Sequence, residues 1–141
     1  MIAGLSNFLL GGFASILFIL YVRSISKNMK TEYLNYAIGL IIAALIYVGF
    51  AIWHMEYNWL PLEVGGVLIY GLLAYLGLRY SIWFLALGWA SHVLWDIILH
   101  MNDSIQFVPD WYPPVCLIFD LVLAGYIIYR LKSNSAVIER S

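Results

Sequence analysis

Residues 38–53 read IGLIIAALIYVGFAIW, a segment without a charged side chain in which apolar and polar residues do not alternate. A strand of a membrane β-barrel would alternate, so this segment predicts a membrane-spanning helix. The rest of the chain has the same character, since 64% of its 141 residues are hydrophobic and only 11% are charged. The mean hydropathy is +0.88, far above that of a soluble domain. We therefore expect an integral membrane protein with no nucleic-acid partner.

Five apolar runs approach the ~20 residues that a helix needs to cross a bilayer. They cover residues 5–22, 33–53, 62–78, 81–99 and 114–129. The predicted fold is an all-α polytopic bundle of five transmembrane helices at residues 1–132, followed by a flexible cytoplasmic tail at 133–141. Small residues spaced for close helix contact include Gly11 with Ser15, and a longer series from Gly65 to Gly77 predicts a central third helix.

The basic residues predict the orientation, because Lys and Arg are retained on the cytoplasmic side of a membrane. All seven lie in the first and third links between helices or after the fifth helix: Arg23, Lys27, Lys30, Arg79, Arg130, Lys132 and Arg140. The N-terminus is therefore expected outside and the C-terminus in the cytoplasm. The expected location is the cell (inner) membrane, which the chain crosses several times.

Three ionisable residues, His92, Asp96 and His100, interrupt the fourth apolar run at intervals of four. On an α-helix they span roughly 80° of the circumference, so they lie on one flank. Asp120 in the fifth run has a depth similar to that of Asp96, in the outer half of the membrane. A charge in the hydrocarbon costs at least ~2.5 kcal/mol without a partner or a wet cavity, so the pattern predicts that Asp96 and Asp120 are functional.

No Lys or Arg lies at this depth to neutralise the carboxylates, which leaves a histidine, a bound cation, water or a shared proton. The candidate metal ligands are His92, His100, Asp96 and Asp120, a set that suits zinc or ferrous iron. Without a metal, Asp96, Asp120 and Glu63 are the candidate catalytic acids and bases. Two alternatives stay open: His100 as an interfacial histidine, and Glu63 as an acid favoured by the helix dipole.

Two segments resemble known families. The pair HVLWDIILH (92–100) and FVPDWYPPVCLIFD (107–120) resembles a family of small bacterial integral membrane proteins of unknown function, and this resemblance implies no activity. WLPLE (59–63) is similar to the Pro-x-Glu element of membrane-bound lycopene cyclases, which protonate an isoprenoid without a metal. The second resemblance implies that Glu63 is the acid, although Val64 stands where a second acidic residue often follows in those cyclases.

Three classes of function fit these observations. The first is a membrane-embedded enzyme with a polar pocket in the outer leaflet, acting on a lipid or isoprenoid with a metal-activated water or with carboxylates. The second is a protein that binds or transports a metal ion or protons. The third is a non-catalytic accessory subunit. Because five helices enclose only a small core, a homo-oligomer is expected in each case.

Overall fold

The computed structural model describes residues 2–101 and 107–140, and this part of the chain is helical without strands. Five α-helices follow one another: α1 (Ile2–Ile25), α2 (Met29–Trp53), α3 (Leu60–Arg79), α4 (Trp83–Trp95) and α5 (Tyr112–Arg140). A π-helical segment, Asp96–His100, continues α4 without a break. The prediction of an all-helical chain is thus confirmed.

Local sequence signals place several helix starts. Asn28 caps α2 by accepting a hydrogen bond from the Thr31 backbone N–H, and the Thr31 hydroxyl accepts one in return from the Asn28 backbone N–H. Pro61 lies at the start of α3, and Pro113 and Pro114 follow the first residue of α5. Proline is tolerated there, because the first N–H groups of a helix have no partner within it.

Four of the described helices are long and apolar enough to span a membrane: α1, α2, α3 and α5. The fourth predicted span differs, because α4 has only 13 residues and the π-helical segment adds 5. At 1.5 Å per residue, α4 alone extends about 20 Å, too short for a hydrocarbon core of ~30 Å. At the other end of the chain, α5 stays helical to Arg140, beyond residue 133 where the sequence predicts a flexible tail. Residues 133–140 contain no Gly or Pro to end the helix.

The helices pack in an order that differs from their order in the chain. Helix α2 packs against α3, α1 packs against α5, and α4 lies between α3 and α5 while also contacting α2. Thus α4 is in the middle, where the glycine series had suggested α3. Two glycines of that series allow α4 to pack closely against α3. A Cβ on Gly66 would lie 2.7 Å from the Trp95 ring, and one on Gly77 would lie 2.8 Å from the Leu85 Cβ.

Helices α1 and α5 approach each other most closely at Gly11. A Cβ on this residue would overlap the backbone carbonyl of Val115. Ser15, one turn later on α1, is fully buried, and its hydroxyl donates to the Gly12 carbonyl. The predicted close helix contact is therefore present at Gly11, with α5 as the partner helix.

Candidate functional site

The polar centre of the bundle is formed by side chains from α4, the π-helical segment and α5. His92 lies in the last turn of α4, Asp96 begins the π-helical segment, and Cys116 and Asp120 are one turn apart on α5. All four side chains are buried. One ligand atom from each of the four lies within 4.8 Å of the others. We call these four residues the donor cluster.

Within the donor cluster, His92 connects the two helices. Its Nδ1 lies 2.6 Å from Asp120 Oδ2 and 3.8 Å from Asp96 Oδ1. Cys116 Sγ lies 3.7 Å from Asp120 Oδ2, within reach of a weak S–H hydrogen bond. The contact that the sequence predicts between His92, Asp96 and Asp120 is thus present, and it joins helices α4 and α5.

The cluster fits a metal ion after a small adjustment. With metal–ligand bonds of ~2.1 Å, two ligands of a tetrahedral ion lie about 3.4 Å apart. The 2.6 Å between His92 and Asp120 is a hydrogen-bond distance, so these two atoms would have to separate by less than about 1 Å to share an ion. Two other distances are already close to the required spacing: 3.8 Å from His92 Nδ1 to Asp96 Oδ1, and 3.7 Å from Cys116 Sγ to Asp120 Oδ2.

Tyr47 on α2 joins the donor cluster to a second group of polar residues. Its hydroxyl donates to Asp96 Oδ1 at 2.5 Å, and its ring stacks on His100 with centroids 4.0 Å apart. The side chain is fully buried. The hydroxyl of Tyr47 thus contacts Asp96 while its ring contacts His100. One side chain therefore links the two residues.

The second group, which we call the Glu63 pair, consists of Glu63 on α3 and His100 at the end of the π-helical segment. Glu63 Oε1 lies 2.8 Å from His100 Nε2, although the two are not aligned as a hydrogen bond. Trp95 Nε1 donates to Glu63 Oε2 at 3.2 Å. The absence of a side chain at Gly66 is what allows the Trp95 ring to lie against α3, where its N–H reaches Glu63.

Three buried polar atoms of the two groups have no hydrogen-bond partner in the described part of the chain: His92 Nε2, Asp96 Oδ2 and His100 Nδ1. A buried polar atom without a partner costs free energy. These atoms are therefore available to an ion, a water molecule or a substrate.

The predicted site residues thus fall into two sets. The structure brings His92, Asp96 and Asp120 together, whereas the other two candidates, His100 and Glu63, form a separate neighbouring pair. Among the remaining ionisable residues near this end of the bundle, His54, Glu56 and Asp110 are exposed, and Asp103 lies outside the described residues.

Two members of the site were not identified from the sequence. Cys116 is buried, and it faces Asp120 and completes the donor cluster. Its position four residues before Asp120 is a signal for this contact. Tyr47 carries no comparable signal, because several tyrosines occur in the apolar runs and their partners depend on helix packing.

Comparison with curated proteins gives no significant match, and comparison with solved structures gives none either. The likeness to lycopene cyclases is therefore not shown. One protein-family model does match, and it covers residues 7–133, which include every residue of the donor cluster and of the Glu63 pair. This chain belongs to the family of unknown function DUF6010.

Proposed function

We propose that this protein is a membrane-embedded, metal-dependent enzyme that acts on a membrane lipid or isoprenoid. The donor cluster is the observation that carries the proposal: four buried side chains of metal-binding type, from two helices, converge in an apolar bundle. Acidic side chains within membrane-spanning segments are rare and usually mark functional sites. Here two of them meet a histidine and a thiol at the same point.

The chemistry of the donors favours zinc, with ferrous iron as the second choice. One imidazole, one thiol and two carboxylates are ligands that Zn²⁺ commonly takes. Three protein ligands suffice at a catalytic zinc site, so one of the four donors can remain a hydrogen-bond partner while a position stays open.

The ion would supply polarisation of a substrate oxygen or activation of a water molecule. The residues around it have separate tasks. Tyr47 holds Asp96 through its hydroxyl, and the Glu63 pair is a carboxyl and an imidazole close enough to exchange a proton. We assign general acid–base work to Glu63 and His100, and ion binding to the donor cluster.

The proposed arrangement in the membrane has five spans, with the N-terminus outside. The donor cluster and the Glu63 pair lie toward the end of the bundle that carries the α2–α3 and α4–α5 links. The basic residues of the first and third links lie at the opposite end. The positive-inside rule then supports a site in the outer half of the membrane.

Metal analysis of the purified protein tests the proposal. We expect stoichiometric zinc or iron in the wild type, and loss of most of it in His92→Ala and Asp120→Asn. His54→Ala is the matched control, because His54 is exposed at the same end of the bundle and should keep the metal. Binding should also weaken as the pH falls, since protons compete with the ion for imidazole and carboxylate.

The same variants separate this proposal from a metal-free one, which the short His92–Asp120 hydrogen bond also supports. Membrane lipid profiles of cells that express Asp96→Asn, Asp120→Asn and Glu63→Gln would be compared with those of wild type. If the wild type contains no metal and the acid variants change the lipid profile, the metal centre is contradicted. Acid–base catalysis by these carboxyls would then explain the activity. Metal-free protein with unchanged profiles in all variants would exclude the enzyme and leave the accessory role.

A further inference from the structure

We infer that an apolar cleft beside the donor cluster binds one hydrocarbon chain of the substrate and directs it from the bilayer to the site. We call this feature the chain cleft. The inference rests on the proposed function for its reaction, but the binding of a chain can be tested without any turnover.

The chain cleft lies where α1, α2 and α5 surround the side of α4. Its walls include Phe18 from α1, Ala43 from α2, Trp89 from α4, and Val115 and Phe119 from α5. Its volume is about 270 Å³, and almost all of its surface is apolar. Gly39 also lines the cleft, and a Cβ on it would lie 3.0 Å from the Phe18 ring. The absence of a side chain at Gly39 therefore leaves room for Phe18 and Trp89.

The chain cleft reaches the donor cluster at Cys116. Cys116 belongs to both: it lines the cleft, and its sulfur lies 3.7 Å from Asp120 Oδ2. Tyr112, another lining residue, packs edge-to-face on Tyr47 with centroids 5.6 Å apart. A molecule lying along the cleft would therefore have one end next to the residues that we propose to bind the ion.

The chemistry and size of the chain cleft identify its occupant. Surrounding positions on α1 and α2, such as Leu17 and Ile42, are apolar and exposed, so in a membrane the cleft opens to hydrocarbon and not to water. Sites that enclose a whole small molecule usually measure ~300–1,000 Å³. A cleft of about 270 Å³ lies below this range, so it suits part of one acyl or prenyl chain, with the polar end of the molecule left at the donor cluster.

Photo-crosslinking in vesicles tests this inference. The full-length protein in phosphatidylcholine vesicles would be labelled with photoactivatable palmitic acid or photoactivatable farnesol, and the labelled peptides would be identified by mass spectrometry. We expect labelling concentrated on residues 39–46 and 112–119. The two probes distinguish an acyl chain from an isoprenoid as the preferred occupant.

Ala43→Phe should fill the chain cleft and lower this labelling several-fold. Ala90→Phe is the control, because Ala90 is exposed on α4 and the same side chain there leaves the cleft open. Val115→Phe fills the cleft from α5 and replaces Ala43→Phe should that variant misfold. Metal content, measured on the same samples, should be unchanged in all three variants.

Two results would overturn the inference: labelling spread evenly over the lipid-facing helix surfaces, or labelling that the cleft-filling variants leave as strong as in the wild type. Neither depends on the metal. A protein without metal that still labels at the chain cleft would contradict the metal centre alone, whereas a protein with metal and no cleft labelling would contradict the chain cleft alone.

Discussion

Tyr47 is the residue through which the two polar groups of the site depend on each other. Its hydroxyl donates to Asp96 in the donor cluster, while its ring stacks on His100 of the Glu63 pair. Residues that orient a metal ligand usually contribute almost as much to a site as the ligands themselves. Tyr47 is therefore the best single position at which to test whether the site is assembled for binding an ion.

Tyr47→Phe removes the hydroxyl and keeps the ring, so the stacking on His100 should persist. Without its hydrogen bond, Asp96 is free to turn, and we expect the affinity for the metal to fall by about 10- to 100-fold. Titration of metal-free protein with zinc measures this change. Tyr75→Phe is the control, because Tyr75 is exposed on α3. Equal affinity in both variants would show that Asp96 is not a ligand oriented by Tyr47.

At the scale of single residues, sequence reasoning predicted the proximity of three ionisable groups of the site. A carboxylate or imidazole in an apolar run needs a partner, and this energetic argument brought His92, Asp96 and Asp120 together before their positions were known. The same argument is weaker for Tyr47 and Cys116, because a tyrosine or a thiol can be buried at little cost. The roles of Tyr47 and Cys116 depend on which helices pack against each other.

Among the elements, the π-helical segment has the largest effect on the site. A π-helical turn contains more residues than an α-helical turn, so it shifts the side chains that follow it around the helix axis. A regular α-helix predicts His92, Asp96 and His100 on one flank. In the structure His100 instead contacts Glu63 on α3, while Asp96 contacts Tyr47 on α2. The sequence carries no cue for this change of helix type.

A second polar contact between elements lies at the opposite end of the bundle. Arg130 on α5 donates to Glu32 on α2 at 3.0 Å, and the hydroxyls of Tyr36 and Tyr126 donate to the same carboxylate at 3.3 Å. Glu32 is buried, whereas Arg130 is partly exposed. This network joins α2 and α5, which also meet at the other end of the bundle, where Tyr112 packs edge-to-face on Tyr47.

Arg130→Ala should therefore destabilise the protein, because it leaves a buried carboxylate without its cationic partner. We expect a loss of about 1–3 kcal/mol, seen as a lower thermal unfolding temperature in detergent. Lys132→Ala is the control, since Lys132 is exposed on the same helix. Metal content should be retained by both variants at low temperature. An Arg130→Ala variant that unfolds at the temperature of the control would show that the network adds no stability.

At the scale of the whole molecule, the number and positions of the helices could be predicted, but their neighbours could not. Hydrophobic runs identify each helix because every residue of a span contributes to the signal. Neighbour relations depend on a few close contacts, such as Gly66 with Trp95 and Gly77 with Leu85, whose partners are remote in the chain. The glycines on helix 3 were visible in the sequence, but the helix that uses them was not.

The proposed orientation can be checked with the whole chain. A reporter that is active only in the cytoplasm, fused to Ser141, should be active in membranes, because all seven basic residues lie on the side that the positive-inside rule places in the cytoplasm. A reporter active only outside, at the same position, is the matched control. An inactive cytoplasmic reporter in a fully inserted fusion would move the donor cluster to the cytoplasmic half.

The pairing of α1 with α5 has a consequence for how the protein is made. Ribosomes synthesise helices in chain order, so α1 enters the membrane before α5 has been made. Until then, the surface of α1 at Gly11 lacks its contact with the α5 backbone. During that interval α1 must be held by the insertion machinery or by lipid. A nascent chain arrested before residue 112 would lack the partner of α1. Helix α1 is thus made well before the helix that buries it.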